Sequence, residues 1–225
     1  MGQEEGKLIP FPGRPHEEAR WARFRLALIL FLVAASVISW LVLGKDGQQE
    51  ASEGIEMRVL SIKETFPLAL NAARGWRTDA VLNWADMTFQ PVTLNSRLDG
   101  AFAFRSPSEP HLWFLVTVRE SGKGLEVRSQ GGVYEVPEPE PIGESIDPLQ
   151  LPLDSAEALE IIMRNGGQEF VARHPGIVWP LTVSLRYSDF FHSRGDLRWV
   201  GLLLDLSTLE DQDIAIDALT GRLVD

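Results

Sequence analysis

The chain has 225 residues, 32 acidic against 21 basic side chains and no cysteine, for a net charge of −11. Without cysteine, disulfides, thiolate metal sites and cysteine nucleophiles are excluded, and any exported part must be stable through its core alone. Through residue 45 there are six Lys and Arg to four acids; beyond it there are 15 to 28, and so acidic a surface repels nucleic acid and anionic lipid.

Residues 1–19, with Pro10, Pro12, Pro15 and three glycines, offer neither a helical nor a strand period and are expected to be a disordered cytoplasmic tail. An apolar run from Leu26 to Leu43 follows, with Ser36 and Ser39 as its polar side chains. Its helical length of about 27 Å suits a bilayer core of about 30 Å. The run is long for a signal peptide and is followed by Leu41-Val42-Leu43-Gly44-Lys45, a poor cleavage site, so 20–43 is read as an uncleaved single-pass anchor. Arg20, Arg23 and Arg25 precede it, and the positive-inside bias puts the N-terminus in the cytoplasm and the rest outside. Trp21 and Trp40 are spaced to mark the two membrane interfaces. The expected location is therefore the cell membrane of a bacterial envelope.

Residues 44–54 are a flexible spacer, and Pro137, Pro139, Pro141, Pro148 and Pro152 mark 137–152 as a second, Pro/Glu-rich linker. Between and after them lie two units, 55–136 and 153–225. In the first, Leu68, Ala69, Ala72, Ala73 and Trp76 predict an amphipathic helix; the alternation at Phe102 and Phe104, the β-rich run His111 to Val118 and a last hairpin through Leu125 and Val133 predict strands. In the second, Asp154 or Ser155 caps a helix through Ala158, Leu159, Ile162 and Met163 that Gly166-Gly167 is expected to stop. Strands are expected over Val178 to Tyr187, Leu197 to Leu206 and Ile214 to Val224. The fold class is α+β: a transmembrane helix, then two similar units, each a helix packed on an antiparallel sheet of three or four strands, a tandem repeat.

Both units resemble PepSY-like domains, small α+β modules of bacterial exported and membrane proteins. The resemblance in the first rests on a helix ending in Trp76-x-x-Asp79-Ala80-x-Leu82 and on Phe102-Ala-Phe104-Arg-Ser106-Pro107. In the second it rests on Trp199 and on the terminal Ile214-Ala-Ile216-Asp217-Ala218-Leu-Thr220-Gly221-Arg-Leu223-Val224. The first unit has Ser121-Gly-Lys-Gly124 in place of the Asp-Ala-x-Thr-Gly hairpin, and the second lacks the Trp-x-x-Asp-Ala helix end. The resemblance implies a noncatalytic module, in some members a proposed peptidase regulator, and assigns no active-site residue.

The residues themselves also point away from chemistry. There is no G-x-S-x-G, H-E-x-x-H, phosphate-binding loop or dinucleotide turn. Asp217 to Gly221, although near Asp205, Glu210, Asp211 and Asp213, lacks the alternating acids of a calcium loop and is expected to be a turn. His111, His174 and His192 show no ligand spacing, so no metal, cofactor or catalytic residue is expected. The expected activity is binding of a protein or peptide, as an accessory subunit of a membrane complex; a lipid or small-molecule carrier is the alternative, and a hydrolase a lesser one. Phe190 and Phe191, adjacent aromatics that cannot both face inward from a strand, and Trp84, beyond the helical period, are the candidate partner-binding residues.

Overall fold

The computed structural model describes residues 55–135, 145–189 and 194–224. Among them no helix is long and apolar enough to cross a membrane. The expected span, with Trp21, Trp40, Arg20, Arg23 and Arg25, and the candidates Phe190 and Phe191 lie outside the described residues.

In chain order the elements are β1 (Met57–Val59), α1 (Ile62–Trp76), β2 (Val81–Pro91), β3 (Asp99–Ser106), β4 (Glu109–Ser121), β5 (Gly124–Glu135), α2 (Ser155–Ile162), a π-turn (Met163–Gly167), α3 (Gln168–Arg173), β6 (Leu181–Asp189), β7 (Arg194–Asp205) and β8 (Glu210–Asp217). The α+β class stands, but the strands do not form two sheets. They make one antiparallel sheet in the order β5-β4-β3-β2-β6-β7-β8, with β1 on the end of β2. The join is β2 to β6, through Ala85↔Leu185, Met87↔Val183 and Phe89↔Leu181. Two separate sheets would leave both strands as edges with unpaired N–H and C=O groups beside apolar side chains; pairing them removes both edges.

α1 begins at Ile62, six residues before Leu68, with Ser61 as its N-cap, and runs through Pro67. The Ser61 hydroxyl accepts from Glu64 N, and the buried stripe is Ile62, Phe66, Ala69 and Ala73, a three-to-four-residue period, while Leu68 is exposed. Gly166-Gly167 does not stop the second helix. Gly166 takes φ +123° within the π-turn and the chain resumes as α3, because Phe170 and Val171 still have a core to enter.

Both helices lie on one face of the sheet. Phe66 of α1 contacts the rings of Phe102 and Phe104, and directly opposed residues of neighbouring strands share a face, so Phe102, Ala85, Leu185, Trp199 and Ile216 form one row. Ile162 of α2 meets that face at Gly201, where a Cβ would sit 2.5 Å from the Ile162 Cγ2. We therefore expect Gly201→Ala to cost about 1 to 3 kcal/mol in denaturant unfolding, and to cost less than that when introduced into an Ile162→Ala background, where the opposing Cγ2 is absent.

The stretch expected as a linker is in part built into the fold. Ile146 N donates to the Leu82 carbonyl, and Ile146, Pro148 and Leu151 are buried. At the other end, Asp217 opens the last turn, its carboxylate accepting from Leu219 N, Thr220 N and the Thr220 hydroxyl, and Gly221 takes φ +69°. Residues 222–224 then pair back on β8. The expected turn and terminal hairpin are both present.

The N-termini of α1 and α2 meet. Asp154 caps α2 in a capping box with Glu157, and the same carboxylate accepts from Ile62 N at 2.9 Å and from the Ser61 hydroxyl. Ser155 Oγ accepts from Ile62 N at 3.0 Å and donates to the Leu60 carbonyl. One anionic side chain thus faces the positive ends of two helices.

Candidate interaction surface

Because side chains alternate along a strand, whatever does not face the helices forms a second face of the sheet. One row crosses all seven main strands: Arg128, Thr117, Ala101, Asp86, Ser184, Val200 and Ala215. On one side of it lie Trp84, Ala103 and Leu115; on the other, Thr182, Leu202 and Asp213. No helix of the described residues lies on this face. Its middle, Ala101, Asp86, Ser184 and Val200, is made of short side chains with one carboxylate among them.

Trp84 belongs to this surface. It sits half-buried on β2, beyond the helical period of α1. Trp113 is on the same face of β4, since Phe114 next to it points to the helices. Arg105, wholly buried on β3, has its guanidinium 5.6 Å from the Trp113 ring and donates to the Pro110 carbonyl at 3.0 Å. Trp113, Arg105 and Asp86 join Trp84 on this face through cross-strand register. The signal was present in β2: Ala85, Met87 and Phe89 alternate with Trp84, Asp86, Thr88 and Gln90, but a bulge between Leu82 and Trp84 breaks the period at its start.

Asp86 is the electrostatic centre. Burial among the strands pushes its carboxyl up to about 6, against the hydrogen bond from the Ser184 hydroxyl and the charge of Arg186, which both pull it down. Burial likewise raises the Asp213 carboxyl, with the charge of Arg186 opposing the rise. Beside it Arg198 pairs with Asp196 at 3.4 Å and, through its charge, helps hold Asp217 low, after the Thr220 hydroxyl. At the opposite end charged groups pair: Arg58 donates to the Ser96 carbonyl and to Glu120, and Arg119 forks onto Asp99 at 2.5 and 2.8 Å.

Two further polar clusters fasten helix ends to hairpins. Asp79, after α1, accepts from the Ser106 hydroxyl at 2.7 Å and from Ser108 N at 2.8 Å, and these bonds, the Ser106 hydroxyl foremost, lower its pKa. Trp76 stacks on Phe114 with ring centres 5.1 Å apart, and Arg77 grips Glu109 with two 2.8 Å bonds. The Trp-x-x-Asp and Phe-x-Phe-x-Ser segments are therefore in contact, and their roles here are structural. In the second half His174, at the end of α3, reaches Asp205 and Glu210 at either end of the β7–β8 turn. These two carboxylates bind opposite edges of the ring, so they do not converge on a common point, and no group of metal-ligating side chains occurs among the described residues.

The space between helices and sheet is filled: Trp199, Phe102, Phe104 and Ile162 are fully buried and Phe66 is 4% exposed. Trp76, Trp113 and Trp199 do not line a common cavity, since Trp113 faces away from the other two.

No family model matches the chain, and no curated protein matches its sequence, so membership of the PepSY family is not shown. Among solved structures, one from Clostridium difficile 630 that carries a lipoprotein designation is similar over 71% of this chain and 90% of that chain, with a TM-score of 0.45 and 12% identity. No property of that protein is carried over.

Proposed function

We propose that this is a noncatalytic, membrane-tethered module whose helix-free sheet face binds a protein partner outside the cytoplasm. The carrying observation is the face itself: a seven-strand row of mostly small side chains around Asp86, bordered by Trp84 and Trp113, with no helix of the described residues over it. Surfaces of this composition fit interfaces, where aromatic and Arg anchors surround a dry centre. Asp86, held where its charge is disfavoured, suits a donor or cation brought by the partner.

The tether is the apolar run Leu26 to Leu43, N-terminus in the cytoplasm, and its small residues Ala34, Ala35, Ser36 and Ser39 suit close packing on a neighbouring helix. That favours a subunit of a membrane complex. We read the two halves as tandem PepSY-like units. Each runs helix, then antiparallel strands outward from the β2/β6 seam, and in each a polar cluster ties the helix end to the hairpin beyond the second of those strands. The filled core supports partner binding over lipid carriage.

The test is purification of the full-length protein in mild detergent. A stoichiometric protein partner is expected, lost on Leu115→Glu and retained on Leu149→Glu, a change at an exposed position in the 3₁₀ turn Pro148–Gln150. A monomer carrying lipid, or a partner indifferent to Leu115→Glu, overturns the reading.

A further inference from the structure

We propose that the turn between β7 and β8 is a proton-sensitive latch, closed by His174 in its doubly protonated form. His174 is 6% exposed, stacked on Phe170 with ring centres 4.2 Å apart. Its Nδ1 lies 3.1 Å from Asp205 Oδ2, and its Nε2 lies 3.1 Å from Glu210 Oε2. Both partners are carboxylates, which accept and do not donate when ionised. A neutral imidazole has one N–H, so it can satisfy only one of them.

The geometry decides which contact fails. Asp205 is 2% exposed, and its Oδ1 accepts from the Ser207 hydroxyl at 2.6 Å and from Ser207 N at 2.8 Å. Those bonds, the hydroxyl first, hold its carboxyl down to about 2, so it remains an acceptor and keeps the Nδ1 proton. Glu210 has a 64% exposed side chain and no comparable tether. When the ring gives up a proton, the Nε2 lone pair faces the Glu210 carboxylate and the closure is lost on that side alone.

The charges around the ring come from each element that packs on it. On α3, Arg173 opposes the imidazolium but is itself 3.8 Å from Glu169. The C-terminal end of α3, where His174 N caps the Phe170 and Val171 carbonyls, favours it. From the hairpin come Asp205, Glu210 and Asp211, all acidic; the connection through Pro175, Gly176 and Ile177 has no charge.

What the latch holds is a turn under backbone strain. Leu209 takes φ +59° and leaves its side chain 77% exposed. It borders an open groove of about 470 Å³ shared with Phe170, Asp211 and Gln212. Release of Glu210 loosens Leu209 and widens that groove, independently of any partner at the sheet face.

Hydrogen exchange of the full-length protein in mild detergent tests this on the peptide spanning 205–212, which contains the Leu209 amide bonded to the Asp205 carbonyl at 2.8 Å. Corrected for intrinsic exchange, its protection is expected to fall about tenfold between about pH 5.5 and about pH 8.5. In Glu210→Gln the carboxamide can donate to the neutral ring, and the fall should shrink to under about twofold. Protection that is flat in the wild type, or that falls equally in Glu210→Gln, overturns the proposal.

Discussion

Asp154→Ala is expected to lower the free energy of unfolding by about 2 to 4 kcal/mol, the sum of two helix caps at about 1 to 2 kcal/mol each. The side chain starts α2, accepting from Ser155 N at 2.7 Å, and also serves α1 through Ile62 N and the Ser61 hydroxyl. Removing it strips an anion from two positive helix ends together. Asp154→Asn keeps an oxygen and loses the charge, and should cost about 1 kcal/mol. Asp147→Ala, which uncaps the exposed 3₁₀ turn by the loss of a 3.1 Å bond to Leu149 N, should cost less than about 1 kcal/mol. Denaturant unfolding followed by tryptophan fluorescence checks all three. If the caps are coupled as the geometry requires, Ser61→Ala and Asp154→Ala will not be additive. Losses that add would mean the helices are capped separately.

Asp86→Asn is expected to stabilise the protein at pH 7 and to do nothing at pH 4. A carboxyl whose folded pKa is raised binds its proton more tightly in the folded state, so stability falls as the pH rises from 3.8 through about 6. That displacement corresponds to about 3 kcal/mol, and because the side chain is only half-buried we expect a gain of about 1 to 2 kcal/mol. The asparagine keeps an acceptor for Ser184. Urea unfolding at the two pH values is the measurement; an equal effect at both would assign the change to packing. If the sheet face is the docking surface, this more stable variant should also bind its partner less well, a trade familiar where a site stores unfavourable charge.

Much of the local structure was legible because its causes lie within a few residues. Asp154 and Glu157 announce a helix start, and the Asp217-to-Gly221 turn follows from an acceptor side chain and a residue tolerant of positive φ. The alternation at Phe102 and Phe104 falls in β3, and the strand expected from Val178 to Tyr187 is β6, which starts later, at Leu181, after Pro180. The failures share another cause. Gly166-Gly167 looked like a stop, yet the burial of Phe170 and Val171 offsets the cost of a π-turn. Residues 145–152 looked like a linker because the prolines hide the fact that Ile146 and Leu151 have core sites to fill. β2 shows no clear strand period at its start because its outward residues are a tryptophan and polar groups and a bulge lies between Leu82 and Trp84.

For the candidate site the division is sharper. Trp84 was singled out from sequence, but Trp113, Arg105 and Asp86 join it only through cross-strand register, and Asp86 meets Ser184 across 98 positions of sequence. His174 was an isolated histidine until the β7–β8 turn brought two carboxylates to it.

By itself the sequence determined an α+β chain with an acidic, cysteine-free major part, an apolar run of spanning length, helix caps and turns, because these depend on composition and on neighbours within one turn or one strand. Only the tertiary structure decided that the halves share one sheet, that one carboxylate caps two helices and that no helix of the described residues lies over one face of the sheet. Each of those depends on strand pairing between distant segments, which hydrogen-bond saturation and burial settle together and no local period encodes.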